Sequence, residues 1–277
     1  MSRSEPPPGP PWDAPFDDAP FAFVDLEMTG LDPERDRVCE ACIVRTTGQR
    51  VDAELESLVL PDTRLGGNAA IHGLDADALA GAPSFAELSP RVSELLSGAI
   101  VVAHAADYDT SFLRAELARA GAPYAPAGVL DTLPLSRRCF ALPSHRLSAL
   151  AESLPLSLPR PHRAGDDARA TMELFFRIAE ILRPATPRDL FHVRIGERHA
   201  RPDVLARALA AVDERVVVRV RYRPARRAIE DLAMVLTDVR TDKDPPRILG
   251  YMHLGRGRRE LRADRILAIC EAEDRGA

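Results

Sequence analysis

Asp25 and Glu27 stand two residues apart at the end of an apolar run, Phe21 to Leu26. On a strand, a period of two puts both carboxylates on one face. Like charges held a few ångströms apart raise each other's pKa, and a bound divalent cation often compensates them. A D-x-E pair also occurs on ordinary surface strands, so it needs company, and two more acids follow. Asp109 lies just beyond the apolar run Ala99 to Ala103, where a helix begins, and Asp167 lies in the first turn of an amphipathic helix. Either could serve only as a helix cap. His162, in a proline-flanked loop five residues before Asp167, has the side chain suited to take a proton near neutrality. Taken alone, such a histidine is equally at home exposed to solvent.

The elements that must position these residues read as a mixed α/β domain over 21–186. The runs Phe21 to Leu26, Val38 to Val44 and Val51 to Leu60 have the pattern of a three-strand meander. Ser84-Phe-Ala-Glu87 has the form of a capping box opening a helix to about Ser97, ahead of a buried strand at Ala99 to Ala103. A helix is expected over Asp109 to Ala120, a short strand over Val129 to Thr132, and helices over His145 to Ser153 and Asp166 to Leu182. The last places Ala168, Met172, Phe175, Phe176, Ala179 and Leu182 on one face. Pro184 and Pro187 break it, and 187–202 reads as a linker. A second unit, 203–277, shows a helix near Asp203 to Val212 and strand-like runs at Val216 to Tyr222, Leu232 to Val239, Ile248 to Leu254 and Arg265 to Ile269. Residues 1–20 contain seven prolines and no apolar period, so they read as a disordered tail.

Bulk properties narrow the class. The 277 residues are 45% hydrophobic and 29% charged, with no apolar run long enough to span a bilayer. The proline- and aspartate-rich start lacks a secretory pattern, so a cytoplasmic setting with no membrane partner is expected. The four cysteines read as free thiols. Cys39 and Cys42 share the run Val38 to Val44, where residues three apart face opposite sides of a strand. The net charge of −5 divides into −10 over 1–186 and +5 over 187–277. The basic part is compatible with nucleic-acid contact and equally with a solvated surface.

Together the residues carry a resemblance. Phe23-Val-Asp-Leu-Glu-Met-Thr-Gly-Leu-Asp32, Ala103-His-Ala-Ala-Asp-Tyr-Asp-Thr-Ser-Phe-Leu113 and His162-Arg-Ala-Gly-Asp-Asp-Ala168 resemble the three exonuclease motifs of the DEDDh family, which includes the proofreading epsilon subunit of bacterial DNA polymerase III. Ile71-His-Gly-Leu74, Leu130-Asp-Thr132 and His145-Arg-Leu-Ser-Ala-Leu-Ala151 extend the likeness over roughly 21–183. The family usually has Asn where this chain has Ala105, and Phe where it has Tyr108.

The resemblance implies a ribonuclease H-like mixed sheet with flanking helices. It also implies two Mg²⁺ or Mn²⁺ ions on Asp25, Glu27, Asp109 and Asp167, with His162 as general base for 3′-to-5′ hydrolysis. Met28, Thr29, Gly30, His104 and Tyr108 would contact the terminal nucleotide. The substrate would be single-stranded or 3′-terminal DNA, or RNA, with a polymerase or repair protein as partner.

In the second unit, Arg219-Val-Arg-Tyr222, Ile248-Leu-Gly-Tyr-Met252 and Arg259-Glu-Leu-Arg-Ala-Asp-Arg-Ile266 are similar in order to the WYL domain, a small β-rich module of Sm/SH3 type. The naming tripeptide reads Gly250-Tyr251-Met252. That likeness implies binding of a ligand or of single-stranded nucleic acid, and leaves open a regulatory protein in place of an enzyme.

Overall fold

The three expected runs form the meander, and the alternation within its first strand decides the rest of the domain. The computed structural model describes residues 5–63, 72–140, 142–195, 202–224, 229–243, 245–255 and 257–271. Strands β1 (Pro20–Met28), β2 (Val38–Thr47) and β3 (Arg50–Leu58) pair antiparallel in order, while β4 (Ile100–Ala103) and β5 (Gly128–Asp131) add parallel on the other side of β1. The sheet order β3-β2-β1-β4-β5 leaves β1 in the middle.

On one face of β1, Ala22, Val24 and Leu26 enter a core shared with α2 (Phe85–Leu96) and α3 (Asp107–Arg119). On the other, Phe21 and Phe23 precede Asp25 and Glu27 in the same period-two line. Phe175 packs against them with ring centroids 5.0 Å from Phe21 and 5.5 Å from Phe23. Phe175 belongs to α6 (Ala164–Leu182), whose buried stripe runs Ala164, Asp167, Thr171, Phe175 and Ile178. Asp167 therefore lies on the core-facing stripe two turns before Phe175, and the aromatic stack sets the helix so that its acidic start reaches the carboxylates of β1.

The expected capping box is present. Ser84 Oγ accepts from the Glu87 backbone N–H, and the Glu87 carboxylate accepts from Ser84 N at 2.8 Å. The short helices α1 (Ala76–Leu79), ahead of α2, and α4 (Thr132–Cys139) and α5 (Leu147–Ser153), after α3, join the longer elements. The helix α4 follows directly on the strand expected at Val129 to Thr132, which ends at Asp131.

Two expectations are corrected. Residues 5–20 do not form a loose tail: Trp12 is 2% exposed and donates its indole N–H to Ala127 O at 2.9 Å, and Phe16 joins the Phe21–Phe175–Phe176 stack. Arg188 ties the segment down by donating to Pro6 O at 2.9 Å and Pro7 O at 2.7 Å. Single aromatic anchors between prolines have no period and escape a pattern search. Gly128 serves this contact, since a Cβ there would meet the Trp12 ring at 2.6 Å. The expected linker is helical over α7 (Pro187–Ile195), with Pro187 at its first position, where a missing N–H costs nothing. Its remaining residues 196–201 lie outside those described.

Contacts divide the chain into two compact units, the second comprising Arg137–Pro143, Glu180–Arg183 and Asp189–Ala277. There α8 (Pro202–Glu214) covers an antiparallel sheet of β6 (Val217–Tyr222), β7 (Glu230–Arg240), β8 (Arg247–Met252), β9 (Arg258–Arg262) and β10 (Ile266–Glu271). Val204, Ala208 and Ala211 pack on Val218, Met234 and Ile248. The order is β10-β6-β7-β8-β9, so the last strand pairs with the first while following the opposite edge in sequence. A flat sheet would separate those edges by about 19 Å, four spacings of about 4.8 Å. The single turn Ala263–Arg265 spans less than that, so the sheet curls. Strand β9 was not among the expected runs, its Arg-Arg-Glu start having no apolar alternation.

Ala105 has φ +63°, in the left-handed region, and is held there by Asp131, whose Oδ1 accepts from Ala105 N at 3.0 Å and from Leu133 N at 2.9 Å. Left-handed backbone costs a non-glycine residue about 1–2 kcal/mol, and Asn tolerates it better. Ala105→Asn is expected to raise the thermal midpoint of unfolding by relieving part of that strain, about 1 kcal/mol. A lowered midpoint would refute this account of the position.

Candidate active site

The carboxylates converge as the alternation of β1 requires. Asp109 is buried in the first turn of α3 and accepts, through Oδ1, from Leu26 N at 3.1 Å, between Asp25 and Glu27. It is thus no N-cap; that position is Ala106, whose side chain makes no cap bond. Asp167 is buried and accepts from His162 N at 2.9 Å through Oδ2. Glu27, His162 and Asp167 each bring a potential ligand atom, all within 4.8 Å of one another.

Electrostatics mark the same group. Burial and the charges of Asp109, Asp167, Glu27 and Glu40 push the Asp25 carboxyl well above the usual range. Burial first, then Asp167, Glu40 and Asp109, raise Glu27 to about 8, while Arg163 opposes the rise. Burial raises Asp109 to about 7 against the lowering hydrogen bonds from its own backbone and that of Leu26. Asp167 rises to about 6, again by burial, opposed by His162. Hard oxygen donors crowded in this way fit divalent Mg²⁺ or Mn²⁺, and cation charge is what the cluster lacks.

The sign of the resulting pH dependence follows. Metal-free folded protein holds these protons more tightly than the unfolded chain, whose carboxyls titrate near 4. Stability is therefore expected to fall as pH rises from about 4 through the values of about 6, 7 and 8 at Asp167, Asp109 and Glu27. Melting with chelator should show this decline, and Mn²⁺ should raise the midpoint more at the alkaline end than at the acid end. An equal Mn²⁺ effect at both ends would argue against a cation among these groups.

The other expected contacts divide. Tyr108, in the first turn of α3 next to Asp109, is 53% exposed. His104 is turned into the fold instead, with Nδ1 2.9 Å from Thr132 Oγ1 and Nε2 2.8 Å from His145 O. Thr29 is buried, and its hydroxyl accepts from Arg37 N at 3.0 Å. The Asp36 carboxylate occupies the space of a Cβ on Gly30 and would have to swing aside for any larger residue. Met28 is partly buried against the main core.

His72 was noted only within a motif whose Ile71 lies outside the described residues. It is buried, and its Nδ1 accepts from Leu74 N at 3.1 Å. Sequence reasoning also missed Glu40 and Arg163, although a lone carboxylate inside the apolar run Val38 to Val44 was the available signal. Cys39 and Cys42 are free and buried, as read. Among the described residues no helix is long and apolar enough to cross a membrane.

A mixed β3-β2-β1-β4-β5 sheet with acids gathered on its central strand defines a ribonuclease H-like nuclease fold. Residues 22–175 match the profile of the RNase T exonuclease family, and the chain belongs to that family. It is 35% identical over 159 residues to the DNA polymerase III subunit epsilon of Treponema pallidum, covering 56% of this chain and 74% of the relative. Identity with the PolC-type DNA polymerase III of Thermotoga maritima is 33% over 172 residues, 62% of this chain but 13% of that protein. The fold also resembles zinc-bound E. coli exonuclease I in its complex with single-stranded DNA, with TM-score 0.56 at 15% identity over 92% of this chain and 65% of the other.

Proposed function

We propose that the chain is a metal-dependent exonuclease that removes nucleotides from the 3′ end of nucleic acid, DNA in preference, and releases nucleoside 5′-monophosphates. The observation that carries this reading is the convergence of Asp25, Glu27, Asp109 and Asp167 from three separate elements into one cluster with raised carboxyl pKa values. These four would hold two Mg²⁺ or Mn²⁺ ions. Bound there, divalent cations supply Lewis-acid charge stabilisation and a lower pKa for water. His162, beside Glu27 and Asp167, accepts the proton of the attacking water. Exposed Tyr108 offers a ring on which a terminal base stacks. The Met28–Gly30 backbone flanks the same strand end, while His104, held by Thr132 and His145 O, steadies the turn that leads into α3.

The relatives' names support DNA as substrate and a polymerase as partner, and E. coli exonuclease I has been solved with a dA16 oligonucleotide. The test is incubation of 3′-labelled single-stranded DNA and RNA with Mn²⁺ and with chelator. Label release from DNA with Mn²⁺ and none with chelator is expected. Faster release from RNA would make the enzyme an RNA-trimming exoribonuclease, and no release from either would refute the reading.

For the second unit we infer an Sm/SH3-type barrel akin to the WYL domain, supported by its strand order and curl. Arg258 and Arg259 are exposed on β9, where they suit phosphates of a single strand. Replacing both by Ala is expected to raise KM at unchanged kcat and to lessen the salt slope of binding by about 1–2. Unchanged affinity and slope would confine nucleic-acid contact to the first unit.

A further inference from the structure

One buried carboxylate lies against the acidic cluster without a part in the chemistry above. Glu40 sits on β2 directly across from Glu27 in the β1–β2 register and is 2% exposed. A carboxylate buried without a partner costs several kcal/mol. Here the compensation comes from far along the chain. Arg163 Nη2 donates to Glu40 Oε1 at 2.7 Å, Arg163 Nε lies 3.2 and 3.1 Å from the two oxygens, and Ala164 N donates to Oε2 at 3.0 Å. Both oxygens are taken by donors of the 163–164 loop, which sets Glu40 apart from the four acids that face the cluster.

The loop so gripped carries His162 at φ +63°. Left-handed backbone in a non-glycine residue persists where its surroundings impose it. Two attachments do so. On one side His162 N donates to Asp167 Oδ2 at 2.9 Å; on the other, the next two residues are fastened to Glu40.

We propose that Glu40 and Arg163 form a positioning strut that presents His162 to the acidic cluster. The inference rests on the proton-accepting role given to His162 above. The strut touches neither substrate nor metal; it fixes the backbone on which the imidazole is mounted. Arg163 also offsets the field of Glu40 on Glu27.

The test compares Arg163→Ala, Arg163→Lys and Glu40→Gln with the unmodified full chain, each made also in a His162→Ala background. The readouts are kcat and KM on a 3′-labelled single-stranded DNA oligonucleotide, Mn²⁺ affinity by calorimetry, and the thermal midpoint. Arg163→Ala is expected to lower kcat about 10- to 100-fold, the loss that a misplacement near 1 Å produces, with KM and Mn²⁺ affinity unchanged. Arg163→Lys should recover part of the loss, keeping the charge but not the two-pronged geometry. In the His162→Ala background Arg163→Ala should cost nothing more.

An equal fractional loss in both backgrounds would overturn the strut, as would Mn²⁺ affinity falling in step with kcat. If Glu40→Gln melts below the assay temperature, the two Arg163 variants still decide. Absence of any cleavage by the unmodified chain defeats the exonuclease reading and the strut with it. Cleavage by Arg163→Ala at the unmodified rate defeats the strut alone.

Discussion

Asp25→Ala is expected to lower metal-dependent cleavage by about 10³-fold or more, the several kcal/mol that positioned cations contribute to stabilising transition-state charge. The same change is expected to raise the thermal midpoint of the metal-free protein. Asp25 is held well above its ordinary pKa by burial and by four neighbouring acids, so removing it relieves desolvation and repulsion that bound protons or cations otherwise offset. Opposite effects on activity and on stability are the mark of a residue kept for chemistry. Asp167→Ala should match the loss of activity but not the gain in stability, because the Asp167 carboxylate also satisfies His162 N. Measuring 3′-label release and melting side by side checks both. Undiminished cleavage by either variant would remove these acids from the site.

His162→Ala is expected to reduce kcat by about 10²- to 10⁴-fold, the range for loss of a positioned general base. Its imidazole lies close enough to Glu27 and Asp167 for a second role, as a metal ligand, and metal affinity separates the two. A base leaves Mn²⁺ binding in place when removed; a ligand takes much of it away. Full activity in the variant would exclude both roles.

Much of this site was legible because its signals are local. The period of two in Phe21 to Leu26 places Asp25 and Glu27 on one face, and the start of an amphipathic helix marks Asp167. The meander and the capping box at Ser84 have the same short-range origin. What escaped is long-range or aperiodic. Glu40 and Arg163 are 123 positions apart, and nothing in either neighbourhood announces the other. Thr29 and Gly30 look like substrate contacts from their place after the first motif, and the contacts they make with Arg37 and Asp36 within the loop were not visible in the sequence. His104 likewise serves Thr132 and the backbone of His145, so the histidine and the Leu130-Asp-Thr132 motif are two ends of one contact. The prolines of residues 5–20 pointed to disorder, whereas Trp12 and Phe16 supply enough buried apolar surface to hold the segment in place.

Trp12 is the only tryptophan in the chain. Enclosed against Gly128, with its indole N–H on Ala127 O, it is a built-in fluorophore shielded from water. Because it belongs to the first unit alone, its emission follows the loosening of the nuclease fold and is blind to melting confined to the second. Far-ultraviolet dichroism sees both, so the interval between the two transitions measures how independently the units unfold, without any added label.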